Sequence, residues 1–119
     1  MVTISKDGNN FYFNVKGLHK LWALKSQLSI PINNILRAYQ NRDALNGWWK
    51  GIRMPGIHVP GIITAGTFYQ SNGKVFWDVV NKNKAIIIDL ESENYQKLII
   101  EVENPLEAIE FIKDALEFV

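Results

Sequence analysis

Between residues 67 and 102, four short runs of β-forming residues, TFYQ, KVFWDVV, AIIIDL and YQKLIIEV, are separated by SNG, NKNK and ESEN. Turn-rich interruptions at such short intervals leave no room for helices of ordinary length, so this half of the chain is expected to fold as strands. Asn72-Gly73 is a pair preferred in tight type I′ turns and predicts a hairpin joining TFYQ to KVFWDVV. Four strands following one another predict an antiparallel meander. Ile86, Ile88 and Leu90 fall on one face of their strand, as do Leu98, Ile100 and Val102, with Asp89 and Glu101 opposite. The shared apolar face is the expected core.

The same reasoning extends to both ends. VTIS and FYFNV flank KDGNN, whose Asp7-Gly8 step marks a hairpin turn. In GLHKLWALKSQLSIP, Leu18, Leu21, Trp22 and Lys25 fit helical spacing while Leu18, Lys20, Trp22 and Leu24 do not alternate in polarity, which predicts a short helix over 18–24. Leu28 and Ile30 alternate with Ser29 ahead of Pro31, predicting a strand that stops where a ladder donor is missing, and a further strand is expected over 35–39. Asn104, Pro105 and Glu107 form a helix start: a capping side chain, a proline at the first helical position and a capping-box acid. From there to about residue 118, Ile109, Ile112 and Leu116, with Ala108, Phe111 and Ala115, make an apolar stripe opposite Glu110, Asp114 and Glu117. The predicted class is mainly β with a C-terminal α-helix, in one domain spanning 1–119.

Composition narrows the function classes. At 119 residues with 47% hydrophobic and 21% charged side chains and a formal charge of +1, the chain has the makings of a packed core and not of a disordered or fibrous protein. The absence of cysteine excludes a disulfide scaffold, thiolate chemistry and zinc sites with sulfur ligands. No run of about 18 apolar residues occurs, and Lys6, Asp7, Asn9, Asn10 and Lys16 interrupt the stretch where a signal peptide needs an apolar segment. A cytoplasmic protein with no integral membrane segment is expected. Charge is uneven: residues 1–84 hold 11 Lys or Arg against 3 Asp or Glu, a balance of +8, while residues 85–119 hold 2 against 9, a balance of −7. That asymmetry fits either an anion-binding surface or an acidic terminal helix beside a moderately basic sheet.

Strands, a meander and one terminal amphipathic helix resemble the pleckstrin-homology (PH) fold, in which the helix covers an open end of strongly bent antiparallel sheets or a partly open barrel. The runs GLHKLWALKSQLSIPINNI and WWKGIRMPGIHVPGIITAGTFYQSNGKVFWDV resemble stretches of small bacterial PH-like proteins, and the likeness spans nearly the whole chain. The resemblance implies a fold and carries no established activity. Phosphoinositide-binding PH domains place several Lys and Arg around their first hairpin loop; here KDGNN supplies only Lys6 and an acid, and the terminal helix has Phe111 and Phe118 where those domains usually keep a Trp. Lipid headgroup recognition is therefore not implied.

One stretch has the composition of a site. Residues 47–66, GWWKGIRMPGIHVPGIITAG, concentrate five of the eight glycines, two of the four prolines and two of the four tryptophans, which predicts a long structured loop and not a periodic element. Lys50, Arg53 and His58 would supply positive or titratable groups to a small anionic ligand, with Trp48 and Trp49 as walls and glycine amides as donors. Alternatively the same loop plugs an open end of the sheet, its Trp and Ile side chains buried and its cations solvated. KVFWDVV is apolar on both faces, Val75, Trp77 and Val79 on one and Phe76, Asp78 and Val80 on the other. Burial of the second face against the loop or another subunit is expected, with Asp78 either paired to Arg53 or His58 or solvated.

Catalytic patterns are weak. His19 and His58 are the only histidines and show no HExxH spacing, Ser71, His58 and Asp78 lack a GxSxG elbow, and GIRMPG lacks the terminal Gly-Lys of a phosphate loop. No metal, cofactor or catalytic residue is expected. Nucleic acid is disfavoured too, because there is no RNP-like motif or basic run and the isoelectric point is only about 8.0. The expectation is a noncatalytic interaction module that engages a protein partner or its own copy, with a small anionic-ligand binder using 47–66 as the alternative.

Overall fold

The structure is a computed structural model that describes the backbone of residues 2–15, 27–41, 57–59, 63–70 and 73–117, with side chains for all of these except 57–59 and 63–70. Nine strands and one helix are described: β1 Val2–Asp7, β2 Asn10–Val15, β3 Gln27–Pro31, β4 Ile35–Tyr39, β5 Ile57–Val59, β6 Ile63–Gln70, β7 Gly73–Val79, β8 Ala85–Leu90, β9 Tyr95–Glu101 and α1 Pro105–Glu117. The expected class, mainly β with a C-terminal helix, is what forms. The predicted helix over 18–24 lies outside the described residues.

β1, β2 and β3 make a three-stranded antiparallel sheet. Its turn is Gly8-Asn9, with Asp7 paired to Asn10 and Gly8 at φ 62°, a first central position that glycine occupies without the Cβ clash. Phe11, Phe13 and Val15 alternate inward with their register partners Ile30, Leu28 and Val2, whereas Thr3, Ser5, Gln27 and Ser29 are exposed. One face of this sheet is thus core.

The second sheet has six strands in the order β4-β8-β9-β7-β6-β5 and is not closed. Here the expected meander is corrected. β6 and β7 form an antiparallel hairpin and so do β8 and β9, but β9 enters between β7 and β8 and runs parallel to β7, pairing Phe76 with Leu98 and Asp78 with Ile100. The physical reason lies in the NKNK linker, which forms a 3-10 turn over 82–84 whose start is capped by the Asn81 side chain accepting from the Asn83 amide at 2.9 Å. A tight hairpin would bring β7 and β8 about 4.8 Å apart, and this wider connection leaves a slot for one more strand. It also clasps the end of β9, since the Val102 amide donates to the Lys84 carbonyl at 3.0 Å and the Val80 amide to Glu101 Oε1 at 3.2 Å.

A continuous core joins the two sheets and the helix. Phe11, Phe13, Ile86, Ile88, Leu98 and Ile112 are among its buried members, and α1 rests on β4, β8 and the 3-10 turn over 32–34. The faces predicted for β8 and β9 point into it. A second buried cluster, Val75, Trp77, Val79, Ala85, Ile87 and Ile99, occupies the opposite face of the six-stranded sheet. Central strands buried on both faces explain why AIIIDL has a run of three isoleucines instead of a strict alternation.

Candidate functional site

Of the residues singled out for ligand binding, Trp48, Trp49, Lys50 and Arg53 lie outside the described residues. His58 is in β5, opposite Thr64 of β6. The stretch 47–66 is therefore not a loop throughout: 57–59 and 63–66 belong to a β-hairpin at one edge of the larger sheet.

The expectation for KVFWDVV is met in one respect and corrected in another. Both faces of β7 are buried, with Val75, Phe76, Trp77, Asp78 and Val79 all at most 4% exposed. That burial is achieved within a single chain, so these faces are not free to meet another subunit. Asp78 is not solvated; it is fully buried and engaged with neighbouring groups.

The described surface offers a different concavity. A groove of about 500 Å³ runs between β1 and the start of α1, one wall made by residues 2–4 and the other by 102–104 with Glu107, Ala108 and Phe111. Its position follows from local sequence signals. Asn104 Oδ1 accepts from the Glu107 amide at 3.3 Å and the Asn104 carbonyl from the Ala108 amide at 3.0 Å, so the capped helix begins directly after β9 and its first turns are held beside β1. Ile109 and Ile112 anchor α1 in the core, while Phe111, at the margin of the apolar stripe, meets Phe11 edge-on with ring centroids 5.5 Å apart and stays 42% exposed. Val2, Ile4 and Val102 add apolar surface, and the exposed Glu103 and Glu107 supply the charge on the rim.

Sequence reasoning missed this groove because its walls come from opposite ends of the chain. Phe111 carried a partial signal: in a helix whose buried centre is Ile109 and Ile112, a large ring at the margin of the stripe leaves part of its surface uncovered.

Elsewhere, two polar clusters tie strands and turns together. Asp89 accepts from Arg37 Nε through Oδ2 and sits 3.2 Å from Lys97 Nζ through Oδ1, a row across β4, β8 and β9. Asn34 Nδ2 donates to Glu93 Oε2, and the Glu91 amide to the Asn34 carbonyl, which ties the β8-β9 turn to the 3-10 turn over 32–34. Among the described residues no three His, Asp or Glu side chains gather as a metal-ligand set, and no helix is long and apolar enough to cross a membrane. No protein-family model, curated protein or solved structure matches this chain.

Proposed function

We propose that this chain is a noncatalytic interaction module of the cytoplasm, PH-like in its general layout, that binds a protein segment in the groove between β1 and α1. The observation that carries this reading is a half-exposed Phe111 facing apolar β1 residues across an open groove. A solvent-filled apolar recess of this kind gains free energy when an occupant displaces its water. Among the described residues, the chemistry of its lining is that of a docking surface: apolar walls, two carboxylates on the rim and no nucleophile paired with a base.

Crosslinking of the wild-type chain and of Phe111→Glu in native lysate, with sedimentation of both across a range of concentrations, tests the reading. A complex formed by the wild type and lost in Phe111→Glu, with circular dichroism unchanged, is the expected result. Identical behaviour of the two proteins would overturn it.

A further inference from the structure

Beyond the groove, we infer a second interaction surface: the bulge at Leu36 and Arg37 on β4 takes an acidic protein segment, its carboxylate on the Arg37 guanidinium and a neighbouring aliphatic side chain on Leu36. β4 is an outer strand of the six-stranded sheet, and its register with β8 shifts between Ile35 and Arg37. Bulges at sheet edges re-aim side chains, and this one leaves Leu36 and Arg37 exposed in succession between the buried Ile35 and Ala38. Leu36 is 47% exposed and the Arg37 side chain 67%. Plain alternation would have turned only one of the two outward.

Arg37 is held in place for such a contact. Its Nε donates to Oδ2 of Asp89, a carboxylate only 11% exposed, whose Oδ1 lies 3.2 Å from Lys97 Nζ. Anchoring through Nε orients the planar head and leaves its outer edge, the two terminal amino groups, to grip a carboxylate with parallel hydrogen bonds. Asp89 divides its charge between two cations, so that of Arg37 is only partly offset. Of the acids in the neighbouring β8-β9 turn, Glu93 is taken up by Asn34, and neither it nor Glu91 contributes to the raised Arg37 pKa, which comes from Asp89 first and Tyr39 last. An exposed ion pair adds little to stability, whereas an arginine already oriented loses less freedom when a partner arrives, which suits it to be an interface hot spot. The complementary segment carries aspartate or glutamate for the charge, with an aliphatic side chain one or two residues along to cover Leu36.

The probe is a blocked hexapeptide of alternating glutamate and leucine, titrated into the 119-residue chain and followed by NMR of the backbone amides and arginine Nε–H groups. Saturable shifts at Leu36, Arg37 and the Arg37 Nε–H are expected, with binding that weakens as salt rises. Arg37→Gln should weaken binding by about tenfold or more, and Arg37→Lys, which keeps the charge without the planar fork, should not restore it. Asp89→Ala removes a negative charge, so a site acting through charge alone would bind more tightly, while one that depends on an oriented arginine binds less. Replacing glutamate by glutamine in the peptide should abolish the shifts. Phe111→Glu should leave them unchanged, which separates this surface from the groove. Absence of binding, binding that survives Arg37→Gln, or tighter binding by Asp89→Ala would overturn the inference. So would displacement of the peptide by inorganic phosphate at equal concentration, which marks a general anion site. Concentration-dependent shifts at Leu36 and Arg37 without peptide would assign the bulge to a second copy of the chain and overturn it too.

Discussion

Arg37 on β4 and Asp89 on β8 are register partners, and the Arg37 guanidinium donates through Nε to Asp89 Oδ2 at 2.5 Å. Lys97 on β9 approaches the other oxygen, so one carboxylate links three adjacent strands, two residues along β8 and β9 from Ile87 and Ile99 of the second buried cluster. The three side chains differ in exposure: Asp89 is 11% exposed, Lys97 19% and Arg37 67%. Asp89→Ala, which strips both cations of their partner, should cost about 1.5–3 kcal/mol in urea unfolding. Arg37→Ala should cost less, because water screens that side chain in both states, and its effect should shrink further in high salt. Equal losses from the two substitutions would contradict this assignment.

The same contact fixes a pH behaviour. The Arg37 pKa is raised above its ordinary value, first by its hydrogen bond to Asp89 and then by the Asp89 charge. A raised folded-state value means that the stabilisation is complete below the unfolded value and is lost only as pH rises through the folded one. Arg37 therefore contributes no slope to stability through the neutral and mildly alkaline range. Wild type and Arg37→Gln should differ by the same amount at every pH there, as measured by denaturant midpoints.

At the start of α1, the cap is a single side-chain acceptor, Asn104 Oδ1, facing the Glu107 amide. Asn104→Ala should lower stability by about 1 kcal/mol, whereas Asn104→Asp and Asn104→Ser should restore most of it. Thermal unfolding of the three variants checks the ranking. Because the cap also positions the helix wall of the groove, Asn104→Ala is expected to broaden the NMR signals of Ala108 and Phe111 more than those of Ile112.

How far these features were legible depends on how local their causes are. Asn104, Pro105 and Glu107 start a helix through contacts within four residues, and Phe11, Phe13 and Val15 place a strand face by simple alternation, so both could be read directly. The position of β9 between β7 and β8 depends on a slot opened by a linker and filled by a later strand, and no local pattern encodes that. Leu36 shows the same limit on a smaller scale. The register shifts between Ile35 and Arg37, so Leu36 and Arg37 are exposed in succession and Ala38 returns to the core beside Ile35, where a regular strand would have turned it outward. The groove combines β1 with α1, each ordinary in its own period.

Backbone geometry supplies an opposed pair of predictions. Gly73 opens β7 at φ 141°, where a side chain is strained, and an added Cβ would lie 3.4 Å from Gln96 Oε1. Gly73→Ala should cost about 1–3 kcal/mol. Ser92, in the β8-β9 turn, holds φ 58° with a Cβ present. Ser92→Gly relieves about 1–2 kcal/mol of left-handed strain against a gain in unfolded-chain entropy of about 0.5–1, so a small net stabilisation is expected. A destabilised Ser92→Gly would mean that the serine side chain itself holds the turn.

The strongest prediction concerns the two faces of β7. Phe76 belongs to the core shared with the three-stranded sheet and meets Tyr95 edge-on, with ring centroids 5.8 Å apart. Trp77, the next residue, points the other way into the cluster of Val75, Val79, Ala85, Ile87 and Ile99. In a sheet with one solvated face, substitutions at neighbouring positions alternate between costly and mild. Here both residues are at most 3% exposed, so Phe76→Ala and Trp77→Ala should each cost about 3–5 kcal/mol. Val80, just past the strand and 43% exposed, is the internal control, and Val80→Ala should change stability by less than about 0.5 kcal/mol. Urea unfolding in which Trp77→Ala behaves like Val80→Ala would show that the second face is open in solution. That outcome would return β7 to the list of surfaces able to meet a partner.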